Sequence, residues 1–267
     1  MVKCQVVMDA LERIAPKRLA EDWDNPGLLV GAFNQDIRKI LVCLDVSDGV
    51  VEQAVKEGAN MIVAHHPLIF KGMKKIRTDL PLGARLQTLL KHDIAVAAAH
   101  TNLDIAVGGV NDVLAEAIGL NKLSTFVITS QEEDGTVESL GRIGSLPAPM
   151  EVTDFARQIR EALPTKHVRL VNAGARPVRK VALCSGSGAE FIQKAAFMGA
   201  DAYVTGDVKY HEAQNAVELG IHVIDAGHFA TEFPVVEVLR ERLAAELAEY
   251  GMEVIADKES VDFFTIV

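Results

Sequence analysis

Short apolar runs rich in β-branched residues alternate with helix-period patterns over most of the chain. The runs Ile37–Leu44, Asn60–Ala64, Ile94–Ala99, Val178–Cys184, Ala202–Thr205 and His222–Asp225 predict strands, because short unbroken apolar stretches suit strands covered on both faces. Helical patterns occupy Gly49–Glu57, Leu82–His92, Ala189–Phe197, Val208–Leu219 and Thr231–Tyr250, and several are followed by a helix-stopping glycine, Gly58, Gly199, Gly220 or Gly251. This alternation predicts βαβ units and therefore an α/β fold with mostly parallel sheets. The stretch Thr125–Pro149 departs from it: the segment is polar, and Glu132-Glu133-Asp134-Gly135 reads as a turn between short strands. It serves as the seam between an N-terminal half, residues 1–125, and a C-terminal half, residues 126–267, whose last segment can pack back on the first half.

The two halves resemble each other. Ile40–His66 lies on Val181–Asp207 without a gap, matching Cys43 to Cys184, Ala54 to Ala195, Gly58-Ala59 to Gly199-Ala200 and Val63 to Val204. A second block lays Ile94–Asp104 on His222–Glu232, so that His100 meets His228 and Asp104 meets Glu232. Two blocks in the same order and the same context point to an internal duplication, giving two similar α/β domains.

Composition narrows the function. With 37 acidic and 27 basic residues the net charge is −10, which disfavours phosphate-backbone binding and with it nucleic acid as a partner. Hydrophobic residues at 49% and charged residues at 24% exclude a disordered chain. Aromatic residues are only 5%, with one Trp, which argues against stacking-rich recognition of bases or sugars. Cys4, Cys43 and Cys184 form no C-x-x-C pair, so a disulfide framework or zinc knuckle is not expected. No apolar stretch precedes Asp9 and no uncharged run approaches the ~20 residues of a membrane span, so the expectation is a soluble, cytoplasmic protein with no membrane partner.

Ligands of open α/β sheets bind beyond the carboxyl ends of the strands, and the polar residues gather there. His65-His66 follow Asn60–Ala64, His100 and Asp104 follow Ile94–Ala99, Asp207 follows Ala202–Thr205, and His228 with Glu232 follow His222–Asp225. Consecutive residues leaving a strand point to opposite sides, and Pro67 holds His66 extended. If both histidines are ligands, two neighbouring ions are the simplest solution. His228 and Glu232, four apart at a helix start, face the same way, and His100 and Asp104 repeat the spacing. Imidazole with carboxylate suits Zn, Fe, Mn, Co or Ni. The bland readings are that a lone strand-end histidine is solvated, that Asp207 caps the helix from Val208, and that His92, His167, His211 and His222 are structural. Ser185-Gly186-Ser187-Gly188 lacks the spacing of a nucleotide-binding loop and reads as a tight turn. Glu21-Asp22-Trp23-Asp24-Asn25-Pro26-Gly27 is a polar turn around the Trp to which residue chemistry assigns no role.

Glu21-Asp22-Trp23-Asp24-Asn25-Pro26-Gly27-Leu28-Leu29-Val30-Gly31, His65-His66-Pro67, His100-Thr101-Asn102-Leu103-Asp104, Thr205-Gly206-Asp207 and Gly227-His228…Glu232 together resemble, in this order, the dinuclear-metal-centre family usually labelled GTP cyclohydrolase 1 type 2 homologues. The resemblance spans nearly the whole chain. It implies two divalent ions per chain on His65, His66, Asp104, His228 and Glu232, with Glu232 bridging, in a cleft between two similar α/β domains, and a homohexameric ring. The expected function is a metal-dependent hydrolase acting on a nucleotide-like or other anionic small molecule. His100 is then the first candidate for general acid/base and Asp207 the next. The alternative is a non-enzymatic metal-binding or metal-delivery protein, or an adaptor built as a ring; DNA binding through a ring channel is disfavoured by the charge.

Overall fold

The structure, a computed structural model, describes residues 1–131 and 135–267, which fall into two compact units, 1–106 with 236–267, and 107–235. Chain order in the first unit runs β1 (Val2–Lys3), α1 (Cys4–Ile14), β2 (Gly27–Val30), β3 (Asp36–Ile37), β4 (Lys39–Cys43), α2 (Asp48–Glu57), β5 (Met61–Ala64), α3 (Pro81–Lys91), β6 (Ala95–Ala98) and α4 (Thr101–Ile105). The second unit holds α5 (Val110–Ala117), β7 (Asn121–Gln131), β8 (Val137–Met150), α6 (Val152–Ala162), β9 (Arg169–Val171), β10 (Val178–Leu183), α7 (Ile192–Phe197), β11 (Ala202–Thr205), α8 (Tyr210–Leu219), β12 (His222–Asp225) and α9 (His228–Glu232). Helix α10 (Val235–Glu246) leads back to the first unit, which ends with β13 (Glu253–Ala256).

The first unit's sheet has the order β13-β4-β5-β6-β2, with the first four strands parallel and β2 antiparallel at the edge. Its inner strands β4, β5 and β6 are buried nearly throughout, and on one face Ile62, Ala64 and Val96 pack with Val50, Ala54 and Leu89 from the flanking helices. Helix α2 starts where the Ser47 hydroxyl accepts from the Val50 N–H at 3.2 Å, and it stops at Gly58, whose φ of 73° is open to glycine at no steric cost. The residues just after β13 are sewn onto this sheet and its helix α2: the Asp257 N–H donates to the Val42 carbonyl at 2.8 Å, and the Lys258 N–H to Gln53 Oε1 at 3.0 Å.

The second unit's sheet has the order β7-β8-β10-β11-β12-β9. Here the expectation of mostly parallel sheets needs correction, since only β10–β11 and β11–β12 pair in parallel among the described residues. The segment read as short strands is a long antiparallel pair, β7 with β8, whose outer strand is exposed along most of its length. A strand with one solvated face carries polar residues, which hid it from a search for apolar runs. Of the turn read at Glu132–Gly135, residues 132–134 lie outside the described residues.

A second correction concerns Thr231–Tyr250, which is not one helix. Pro234 divides it into α9 and α10, because the ring clashes with a helical residue before it and removes one N–H. Helix α8 begins at Tyr210 rather than Val208, since the Val208 N–H is taken by Asp225 Oδ2 at 3.0 Å. None of the described helices is long and apolar enough to cross a membrane.

Candidate metal centre

In the first unit, β5 and β6 run parallel in register, Ala64 beside Ala98, and both stop short of a histidine. The ladder carries on just past the strand ends: the His65 N–H donates to the Cys43 carbonyl and the Ala99 N–H to that of Ala64. His65, His66 and His100 therefore arrive side by side, with ring centroids 4.9 Å (65–66), 5.3 Å (65–100) and 5.6 Å (66–100) apart. One donor nitrogen from each lies within 4.8 Å of the others, a group able to hold a metal ion. Strict alternation does not separate His65 from His66, because the strand has already ended at Ala64 and the pair sits in a bend. Asp104, on α4, places Oδ1 3.6 Å from His65 Nε2.

Each ring is gripped by its other nitrogen. His65 Nδ1 lies 2.9 Å from the Ala99 carbonyl, His66 Nδ1 2.8 Å from Asp45 Oδ1, and His100 Nδ1 2.7 Å from Asp24 Oδ1. These oxygens only accept, so each neutral ring carries its proton on Nδ1 and keeps its lone pair on Nε2. Partners of this kind orient histidine ligands and raise their basicity. Burial opposes ionisation of Asp24, but hydrogen bonds from His100 and from Thr101, the charge of His100 and the Asn25 N–H outweigh it and hold the carboxyl at about 2. Sequence reasoning left Asp24 and Asp45 unassigned; no spacing motif joins either to its histidine.

The second unit repeats the device. Strand β11 is followed by Gly206-Asp207, and β12 leads through Gly227 into α9. His228 Nδ1 lies 2.8 Å from Asp207 Oδ2, and His228 Nε2 lies 3.1 Å from Glu232 Oε2 one turn along the helix. Both ring nitrogens thus face carboxylates, while a neutral imidazole has one N–H to offer. A shared cation removes that conflict: two donors about 2.1 Å from one ion stand roughly 3.0–3.4 Å apart for right-angle to tetrahedral ligation. The 3.1 Å separation lies within this range, and the 3.6 Å of His65 and Asp104 lies close to it. The donor set therefore fits a divalent ion of the imidazole–carboxylate kind.

Asp207 is not a helix cap. The N-cap of α8 is Lys209, and Asp207 instead holds a left-handed backbone at φ 57° that aims its carboxylate at His228. The loop Ser185–Gly188, read as a tight turn, is where sequence reasoning missed a site residue. Gly186, at φ 60°, lies against the site so closely that a methyl there would collide with the Glu232 carboxylate and stand 3.2 Å from His228 Nε2. The Gly186 N–H donates to Thr231 Oγ1 at 2.9 Å, and the Gly206 N–H to the Gly186 carbonyl at 2.8 Å, which locks these two loops to each other and to α9. His222 is structural as expected, its ring held between the Ala173 N–H and the Arg176 carbonyl.

Beside the first-unit histidines lies a cavity of about 340 Å³ bounded by Asp45, Ser47, His66, Arg85 and Phe263. On another side of His100 stand two exposed aromatic residues. The Trp23 and Phe70 ring centroids are 5.8 Å apart, and each lies 6.1 Å from that of His100.

Comparison with known proteins agrees with this architecture. The family model described as Duf34/NIF3 (NGG1p interacting factor 3) matches residues 2–261. A Clostridium perfringens protein named GTP cyclohydrolase 1 type 2 homolog is 35% identical over 266 residues, covering all of both chains. Among solved structures, the Bacillus cereus protein related to NIF3 superposes with a TM-score of 0.94 at 29% identity over 100% of this chain and 99% of the other. Reduced HcgD from Methanocaldococcus jannaschii gives 0.80 at 31% identity over 96% and 97%.

Proposed function

The chain belongs to the Duf34/NIF3 family, and from that premise we propose that it is a dinuclear metal-dependent hydrolase acting on a nucleotide-like or other anionic small molecule. His65, His66, Asp104, His228 and Glu232 would hold two divalent ions, with Glu232 shared. The observation that carries the reading is the common orientation of the three ligand imidazoles, His65, His66 and His228, each with Nδ1 engaged by an acceptor so that Nε2 is the ligand nitrogen. Bound divalent ions supply Lewis acidity, making water acidic enough to attack near neutral pH and drawing the anionic part of a substrate. The protein's own part is positioning. Asp45, Asp24 and Asp207 fix the rings of His66, His100 and His228. His100 moves a proton at Nε2, because the proposed ligand set is complete without it and the ionised Asp24 orients the ring and steadies its charged form through Nδ1. Asp207 acts through His228 as a positioning residue.

The internal duplication belongs to the same proposal. It is supported by β4, β5 and β6 standing side by side and parallel in one unit as β10, β11 and β12 do in the other. It is supported also by α4 and α9, the short helices that follow β6 and β12 and carry Asp104 and Glu232. The homohexameric ring is part of this reading, and a light-scattering mass of six chains is its check.

A metal-carrier reading shares these ligands and is favoured by the burial of His65, Asp104 and Glu232. One experiment separates the two. Elemental analysis of reconstituted protein should return two ions per chain, and Glu232→Gln should lower both; one ion or fewer overturns the dinuclear reading. His100→Ala should keep both ions and lose about 10²–10⁴ in hydrolytic rate. Full metal binding with no hydrolysis of any phosphoester or nucleotide by the parent protein selects the carrier.

A further inference from the structure

The segment around the chain's one Trp supplies none of the proposed metal ligands, yet a set of hydrogen bonds fastens it within the first unit. Asp24 accepts from His100 Nδ1 and, at 3.0 Å and 2.5 Å, from the Thr101 N–H and Oγ1. The Glu21 N–H donates to Thr101 Oγ1 at 3.0 Å, and Asn25 Nδ2 to the Ile69 carbonyl at 2.6 Å, which ties the Trp23 loop to the residue before Phe70. For all this anchoring, the indole is not buried: Trp23 is 59% exposed and Phe70 43%. A large aromatic ring left in water forgoes most of its transfer free energy, so these hydrogen bonds place the ring rather than serve the core.

The rings form one wall. Trp23, Phe70 and His100 meet pairwise at 5.8–6.1 Å with interplanar angles of 59–83°, and His100 continues into His65 and His66. Directly after Phe70 come Lys71, Lys74 and Lys75, all exposed, in a chain of net charge −10, while Arg77 beyond them is paired with Asp79. The low overall aromatic content argued against stacking as a general mode, but one ring subsite needs only a local pair. We propose that Trp23 and Phe70 are the ring subsite of the candidate centre, stacking the flat heteroaromatic ring of an anionic small molecule whose charged group lies toward the histidines and the basic segment. The charged-group half of this inference rests on the metal reading; the ring contact does not.

The single Trp reports the subsite directly. Fluorescence excited at the indole edge is followed while metal-loaded protein, and separately chelator-stripped protein, is titrated with GMP, with AMP, and with ribose 5-phosphate as the ringless control; metal content is measured on the same samples. Saturable quenching by at least one purine monophosphate and none by ribose 5-phosphate is expected. Phe70→Ala should weaken that binding roughly tenfold or more, and Trp23→Ala, followed by calorimetry, should do the same; both side chains lie at the surface, and an unchanged melting temperature confirms the fold. Equal binding of ribose 5-phosphate, no quenching by either nucleotide, or unchanged affinity in Phe70→Ala overturns the subsite. Quenching that survives in protein unable to hold two ions supports the subsite while rejecting the metal reading, and two ions without quenching do the reverse.

Discussion

Asp207 stands 2.8 Å behind the Nδ1 edge of His228, and it does so from a left-handed backbone at φ 57°. Asn tolerates that conformation and can still accept from Nδ1, so Asp207→Asn removes charge while preserving geometry. Metal affinity should fall about 10–100-fold with the fold intact, as read by competition against a chromophoric chelator. Asp207→Ala should lose more affinity and some stability, since alanine supplies neither the acceptor nor an easy left-handed residue. Unchanged affinity in both would detach Asp207 from the site.

Gly186 has no functional group, and its contribution is the space it leaves. A methyl at this position meets the Glu232 carboxylate, and the residue's φ of 60° already disfavours alanine. Gly186→Ala should cost about 1 kcal/mol in stability and at least tenfold in metal affinity. Thermal melts and chelator competition on one sample separate the two losses. A variant that melts lower yet binds metal normally would leave Gly186 a turn residue only.

Acid should unfasten the Trp23 loop. Asp24 titrates at about 2 in the fold, below the ~3.9 of an unfolded chain. A depressed carboxyl pKa contributes stability that is present above pH ~4 and is lost as the pH falls toward 2. Melting temperature should therefore drop across that window, and Asp24→Asn should be less stable at neutral pH and show a shallower drop. An identical pH slope in the variant would mean that other carboxylates set the acid limit.

The thiols should be silent. Burial pushes the Cys4 thiol up to about 11 and that of Cys43 well above its ordinary range, and Cys184 is also buried. Alkylation needs the thiolate and access. Iodoacetamide at pH 8 should label none of the three in the native protein over an hour and all three in denaturant, as counted by intact mass.

How much of this was legible beforehand depended on whether the signal was local. Strands β5, β11 and β12 declare themselves as apolar runs because both faces are covered, and the glycines after α2 and α8 end those helices with φ near 70°. The histidines at the strand ends stood out for the same reason: polar residues just past such runs have few structural uses. The acceptors behind them did not. Asp24 lies 76 residues from His100, and Asp45 lies 21 from His66, so only the fold pairs them. Gly186 escaped because a search for chemistry does not find residues whose role is to lack a side chain. The polar hairpin β7–β8 escaped because one solvated face removes the apolar run on which the strand search relied.

Strand β13, the last in the chain, pairs with β4, whereas residues 107–235 between them make a unit of their own. The intervening unit supplies all the strands of its own sheet, whereas β4 carries an unpaired rim until β13 docks. Rims of that kind recruit other strands, so a lesion in β13 wounds a sheet whose other strands lie more than 150 residues earlier in the chain.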